Sequence, residues 1–395
     1  MLHICYDNAI PLVPALFAEN CRLSPLKTNQ INSENLQNAD ALLVRSVTQV
    51  NHYLLQHNRR IKFIGSLTSG TDHIDTNYLA ERQIKFSYAP GSNAESVANY
   101  VLSAIMLCYA ENFALYSPGE FTLGIIGYGH IGQLVYNYAS NLGLKLIVCD
   151  PFKQKETAKD LTGNSQIPFV SLEEALQAAN IISLHVPLTS AEQSAFPTFH
   201  LLNQRNLTQL KPDALLINTS RGAIIDNQAL VDRRTKGLKL VLDVWENEPV
   251  IYIPLLNHAL VATPHIAGHS IHGKTNGMHK IYEDMVDYFG LEKDKPKIRR
   301  QEKSIYQSIY QYSFSSMHNS LKDADAGNPY NVFAKLVDKH LCRLSLESEL
   351  LKKYPQSFRS LRAHYGLRHD FSKIRFFAVD TELKAIAKQI GLVVD

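Results

Sequence analysis

The sequence predicts an α/β protein, with two doubly wound parallel sheets in succession and an α+β segment after them. Three observations carry this. Short apolar, β-branched runs alternate with stretches of helical period up to about residue 265, the pattern of strand–helix–strand units in a parallel sheet. A glycine-rich turn near the middle of the chain joins one such strand to an amphipathic helix. Beyond Gly290 the alternation stops and the charge changes sign: residues 291–395 carry a net +7 and those before them −4, within a total of +3.

The first series of strands is read at Leu2–Tyr6, Ala41–Val44, Ile61–Gly65 and Ile84–Tyr88. The apolar run Val97–Ala110 is too short to span a bilayer and contains Asn99 and Ser103, so it reads as a buried helix. A second series follows at Thr122–Ile126, Leu144–Cys149, Ile181–His185, Ala214–Asn218, Leu238–Val244 and Leu260–Ala262, enough for a complete doubly wound domain. Ser171 and Glu174 form a capping box at one intervening helix, and Gly143 closes another. A long helix, Ile271–Phe289, is expected to return the chain to the first domain. The last segment shows strand-like alternation at Ser304–Phe314, a polar loop to Pro329, helical stretches from Val332 to Tyr354, and a strand and helix from Ile374. The organisation expected is thus a substrate domain (1–95, completed by about 266–290), a dinucleotide-binding domain (96–265) and a C-terminal domain (291–395).

Composition narrows the function classes. With 45% hydrophobic residues and 40 basic against 37 acidic side chains, the chain can bury a large core and is too balanced to bind nucleic acid as a whole. The five cysteines are scattered, without a C-x-x-C pair, which indicates neither a disulfide framework nor a zinc site. No basic segment precedes a long apolar stretch at the N-terminus, so a cytoplasmic protein with no membrane partner is expected.

Gly127, Tyr128, Gly129, His130, Ile131 and Gly132 form G-Y-G-H-I-G between the strand Phe121–Ile126 and a helix whose apolar residues include Leu134, Val135, Tyr138 and Ala139. Glycines there permit a tight turn and let backbone N–H groups approach a pyrophosphate at the positive end of the helix dipole. The next strand ends at Asp150, where a carboxylate can accept hydrogen bonds from an adenosine ribose, which favours NAD over NADP in a Rossmann-like domain.

Three later strands end in segments with chemistry to offer: Asn218-Thr219-Ser220-Arg221-Gly222, Asp243-Val244-Trp245-Glu246-Asn247-Glu248-Pro249 and Thr263-Pro264-His265-Ile266-Ala267-Gly268. This ordered set resembles the D-2-hydroxyacid dehydrogenase family. Val44–Thr48, Ile61–Asp75 and the C-terminal segment are similar, more narrowly, to the erythronate-4-phosphate dehydrogenase family. The resemblance implies Arg221, Glu248 and His265 as catalytic residues, with Asp243 near the nicotinamide and Thr219, Ser220, Arg221 and Gly268 along NAD. It also implies oxidation of a phosphorylated 2-hydroxy acid, a step of pyridoxal 5'-phosphate biosynthesis. An arginine can grip a carboxylate bidentately, and a neutral histidine can take a hydroxyl proton as hydride leaves. His185, also at a strand end, competes with His265 on position alone.

For the substrate, the resemblance favours Ser46 and Thr68, and Arg45 and Lys274 add cations suited to phosphate. His269 stands where the family usually has tyrosine. No metal is expected, because Gly268 and Gly273 interrupt the spacing of His265, His269 and His272. The C-terminal segment resembles that family's dimerisation domain, which implies a homodimer. Two other readings stay open on the residues: another D-2-hydroxyacid dehydrogenase, such as one acting on 3-phosphoglycerate, and an NAD(H)-sensing corepressor-like binding protein.

Overall fold

The computed structural model describes residues 1–157, 167–232, 237–292, 328–366, 368–376 and 380–394. By packing, the chain divides into two units: Met1–Asn93 with the helix that begins after Ser270, and Ala94–His269 with the C-terminal residues. The strand-like alternation at Ser304–Phe314 and the loop leading to Pro329 lie outside the described residues.

The first unit is built on strands β1 (Leu2–Asp7), β2 (Cys21–Leu26), β3 (Ala41–Val44), β4 (Phe63–Ser66) and β5 (Lys85–Tyr88). All pair in parallel, in the order β2-β1-β3-β4-β5. β2 is absent from the sequence reading because Arg22 and Pro25 break its apolar pattern. Proline is tolerated there because, among the described residues, β2 is the outer strand of the sheet, where one flank needs no ladder hydrogen bond. The helix Ile271–Phe289 forms where the spacing predicts it and buries Met278, Ile281, Tyr282, Met285 and Val286 against Ile4, Leu43 and Phe63.

The second unit contains β6 (Thr122–Ile126), β7 (Lys145–Cys149), β8 (Ile181–Leu184), β9 (Leu215–Asn218), β10 (Lys239–Leu242) and β11 (Val261–Ala262), again all parallel, in the order β11-β10-β9-β8-β6-β7. A parallel bridge from Val148 to Phe169 adds one further position outside β7. Counting it, the strands run 3-2-1 on one side of the chain crossover and 4-5-6-7 on the other, the doubly wound arrangement expected. β8 and β9 are buried at every residue, which is why they read as continuous apolar runs. The capping box is present, with the Glu174 amide donating to Ser171 Oγ at 3.2 Å and the Ser171 amide to Glu174 Oε2 at 2.8 Å. Gly143 takes φ +85°, the left-handed geometry that ends a helix.

The apolar run at 97–110 lies inside one helix, Ala94–Leu115, with Tyr100 fully buried. Against it pack the helix His130–Asn141 and, from the C-terminal residues, the helix Pro329–Val337. Phe333, Leu336, Phe371, Phe376 and Ile386 share one core with Val101, Ile105 and Val135. The C-terminal part also contains helices Leu344–Lys353 and Thr381–Gln389 and the parallel pair β12 (Arg375–Phe376) and β13 (Val393–Val394), an α+β composition. All five cysteines are free thiols, and among the described residues no helix is long and apolar enough to cross a membrane.

Candidate active site

Strand register builds the site. Cys149, Ile126, Leu184, Asn218, Leu242 and Ala262 lie in one row across the second sheet. The residues that follow them, Asp150, Gly127, His185, Thr219, Asp243 and Thr263, therefore open their loops along one carboxyl edge, where doubly wound sheets bind ligands.

At the glycine turn each position has its own reason. Gly127 has φ +96°, and a β-carbon on it would stand 2.6 Å from the His185 carbonyl oxygen. A β-carbon on Gly132 would meet the Gly127 carbonyl, so helix and strand could not approach. Gly129 differs: its backbone is ordinary, with φ −79°, and nothing lies within 4 Å of where its β-carbon would be. The fold does not need that glycine, but a pyrophosphate approaching the exposed first-turn amides does. Asp150 accepts from the Phe152 and Lys153 amides through Oδ1 and from the Tyr128 amide through Oδ2 at 2.8 Å. It therefore holds the glycine turn to its own strand end while keeping lone pairs for ribose hydroxyls. The Tyr128 amide is thus committed inward, and its ring packs on Tyr136 and Phe169. Thr219 Oγ1, at the end of β9, is buried with no hydrogen-bond partner, a polar atom that a bound dinucleotide can satisfy.

The three chemical segments follow adjacent strands and are tied together. Gly222 lies so close to the Trp245–Glu246 peptide that any β-carbon would overlap it, which draws the Arg221 loop onto the next. Trp245 Nε1 donates to the Thr263 carbonyl at 3.1 Å. Arg221 donates from Nη1 to the Ser220 carbonyl at 2.8 Å, and Asn218 Oδ1 accepts from Ser220 N and Oγ.

His265 sits at φ +57°, a conformation that non-glycine residues adopt at a cost and that clusters at functional sites. Its Nδ1 is 2.8 Å from Glu248 Oε2, and Glu248 Oε1 accepts the Trp245 amide at 2.9 Å. Burial works to raise the Glu248 pKa, but the His265 ring, the Trp245 amide and the Arg362 cation outweigh it and hold the carboxyl below its usual range. An ionised carboxylate only accepts, so Nδ1 carries the proton and Nε2 is left as the atom that exchanges one. His185 does not compete: its Nε2 is 2.9 Å from Ser183 Oγ, and burial drives its pKa down to about 3, too low for a base near neutrality.

Asp243, expected beside the nicotinamide, is fully buried and turned into the protein. Oδ1 accepts from Thr263 Oγ1 at 2.6 Å and the Ile266 amide at 2.7 Å, and Oδ2 accepts the Ala267 amide at 2.9 Å. Burial raises its pKa overall, although His265 and these donors oppose it. Tyr100, whose phenol burial keeps protonated, completes the chain at 2.6 Å from Thr263 Oγ1. Asp243 therefore fixes the loop that presents His265. The sequence shows an acid at a strand end but not the direction in which it points.

In the first unit, Arg45 follows β3 and is paired with the buried Asp7 at 3.1 Å, a partner the sequence reading missed. Ser46 is exposed, as is Lys274 on its helix. Thr68 already donates its hydroxyl proton to the Gly70 carbonyl at 2.6 Å, and Ser66 Oγ lies 2.8 Å from it. His269, on the second unit, follows the His265 loop with its amide bonded to the Ile266 carbonyl at 2.8 Å.

A family model described as the D-isomer specific 2-hydroxyacid dehydrogenase NAD binding domain matches residues 108–267. Erythronate-4-phosphate dehydrogenase of Wigglesworthia glossinidia brevipalpis is 36% identical over 94% of this chain and 93% of its own length. That of Pseudoalteromonas translucida is 35% identical over the whole of both chains. The chain belongs to the erythronate-4-phosphate dehydrogenase family. It is an NAD-dependent D-2-hydroxyacid dehydrogenase. At the level of fold, the enzyme matches the crystal structure of D-lactate dehydrogenase from Aquifex aeolicus complexed with NAD and lactic acid. The TM-score is 0.57 at 24% identity, covering 73% of this chain and 94% of that one.

Glu248→Gln tests the dyad. The amide has one acceptor where the carboxylate has two, so either the Trp245 N–H or His265 Nδ1–H must face an NH₂ group. Loss of the counter-charge to the imidazolium adds to this, and kcat is expected to fall on the order of 100-fold. A depressed folded-state pKa means that the carboxylate contributes stability above its unfolded value of 4.5, which is lost as pH falls through the folded value. Melting curves of wild type and variant should therefore converge towards acid pH.

Proposed function

We propose that the enzyme oxidises 4-phospho-D-erythronate at C2 to (R)-3-hydroxy-2-oxo-4-phosphooxybutanoate, within pyridoxal 5'-phosphate biosynthesis. The observation that carries this reading is the His265–Glu248 pair on loops tied to that of Arg221, in a chain similar over its length to erythronate-4-phosphate dehydrogenases. Bound NAD supplies the hydride acceptor. Arg221 holds the substrate carboxylate and orients C2 through its planar fork. His265 Nε2 takes the C2 hydroxyl proton as hydride leaves the same carbon, and Glu248 stabilises the imidazolium that results. Gly127 to Gly132, Asp150, Thr219, Ser220 and Gly268 serve the dinucleotide. Asp243 holds the His265 loop and, by the family resemblance, lies near the nicotinamide.

Arg45, Ser46, Thr68, His269 and Lys274 are assigned to the substrate phosphate and its neighbouring hydroxyl. Thr68 must release Gly70 to donate to a phosphate oxygen, so its hydroxyl is a switchable contact. The C-terminal residues 291–395 are assigned to a homodimer interface by the family resemblance. The free thiols fit a reducing cytoplasm.

The decisive assay is NADH formation with 4-phospho-D-erythronate beside 3-phospho-D-glycerate and unphosphorylated D-2-hydroxy acids, with a 2-oxo acid acceptor arm. Preference for phosphoerythronate supports the substrate assignment, and preference for another acid overturns it. His269→Tyr is expected to leave kcat intact while changing the substrate KM by about 2- to 10-fold, the worth of one hydrogen bond. An unchanged KM removes His269 from the site.

A further inference from the structure

We propose that Arg368, carried by the C-terminal residues, is a positioning residue for His265, fixing the peptide of Ala267 and with it the loop on which the acid/base sits. The inference rests on His265 as the acid/base of the reaction proposed above.

Ala267 is held at both ends. Its amide donates to Asp243 Oδ2, and its carbonyl accepts from Ser96 Oγ at 2.9 Å and from Arg368 Nη2. The same Nη2 donates to the Ser96 carbonyl at 3.0 Å and to Ser96 Oγ at 2.5 Å, and Nη1 lies 3.5 Å from Cys342 Sγ. Arg368 is only 3% exposed. Withdrawing a guanidinium from water is costly, and removing it would leave the Ala267 carbonyl one donor short in a buried place.

The neighbouring residues anchor the same region. The Phe371 amide donates to Asn99 Oδ1 and the Ser372 amide to Glu95 Oε1, both at 2.9 Å, on the helix that carries Ser96. Three residues before His265, the Ala262 amide donates to Ser348 Oγ at 2.9 Å, on the C-terminal helix Leu344–Lys353. C-terminal side chains therefore bracket the histidine, Ser348 on one side and Arg368 on the other.

The test uses the full-length protein as wild type, Ser96→Ala, Arg368→Lys and Arg368→Met. Misplacing a catalytic group by about 1 Å costs roughly 100-fold, so Arg368→Met is expected to lower kcat to that extent. Ser96→Ala, which removes one of two donors to the Ala267 carbonyl, should cost roughly 5-fold, and Arg368→Lys should fall between. The loss should appear in kcat rather than in KM, which should stay within about twofold because no substrate-binding side chain is removed. Adding Arg368→Met to His265→Asn should produce no further loss, as expected of a residue that acts through another. Nitrogen NMR of the His265 imidazole in the NAD-bound protein should show a moved resonance in Arg368→Met and Ser96→Ala.

The proposal is overturned if Ser96→Ala and Arg368→Lys turn over like wild type with an unmoved imidazole signal. It is equally overturned if kcat falls only in proportion to folded protein. If Arg368→Met does not fold, the two milder variants decide. If wild type is inactive on phosphoerythronate, the substrate reading fails while the imidazole signal still decides the role of Arg368.

Discussion

Replacing His265 with alanine is expected to lower kcat by roughly three orders of magnitude, within the range supplied by a positioned acid/base, while NAD affinity changes less than about twofold. Alanine also loses the Glu248 hydrogen bond and must still adopt φ +57°, so some loss of stability accompanies it. Asparagine separates the two effects. It tolerates the left-handed region better than alanine but cannot shuttle a proton near neutrality. His265→Asn should therefore match the alanine variant in kcat and exceed it in melting temperature. Turnover within tenfold of wild type in the asparagine variant would remove His265 as the acid/base and return attention to another group at the strand ends.

The second large effect is expected at Gly129. A β-carbon there meets no protein atom within 4 Å and the φ of −79° suits any residue, so arginine should leave the melting temperature without NAD close to that of wild type. The added side chain fills the space through which a pyrophosphate reaches the helix amides. Losing two charge-assisted hydrogen bonds at about 1.5 kcal/mol each weakens NAD binding by roughly 100-fold. Titration of the folded variant by fluorescence checks this. Unchanged affinity would mean that the turn serves packing alone. Gly132→Ala is the contrasting control, because its β-carbon collides with the Gly127 carbonyl and should destabilise the fold itself.

Much of this architecture is legible in the residues because local signals and burial agree. β3, β6 and the helix Ile271–Phe289 appear at the limits their apolar periods predict, and the strand ends carry Arg221, Glu248 and His265 into one neighbourhood. What escapes is non-local. β2 is hidden by Pro25 and Arg22, which it accommodates as the outer strand among the described residues. The partnership of Asp7 with Arg45 spans two strand ends and leaves no spacing signal. Tyr100, Asp243 and Thr263 form one hydrogen-bonded chain from three separate stretches, and nothing in an aspartate at a strand end says whether it faces ligand or core. Arg368 lies about a hundred residues beyond the loop it holds, in a basic segment where nothing marks one cation as buried.

The edge strand β2 has a consequence for how copies of this protein can meet. An open parallel sheet offers its outermost strand as a template on which a foreign strand can add by backbone pairing. Pro25 puts a residue without an N–H in that ladder, and Arg22 projects into solvent from the same strand. Any strand that tried to extend the sheet would lose a rung and desolvate a cation. Among the described residues, that side of the first sheet is thereby made a poor template for an added strand, and any association of copies there falls to side-chain contacts.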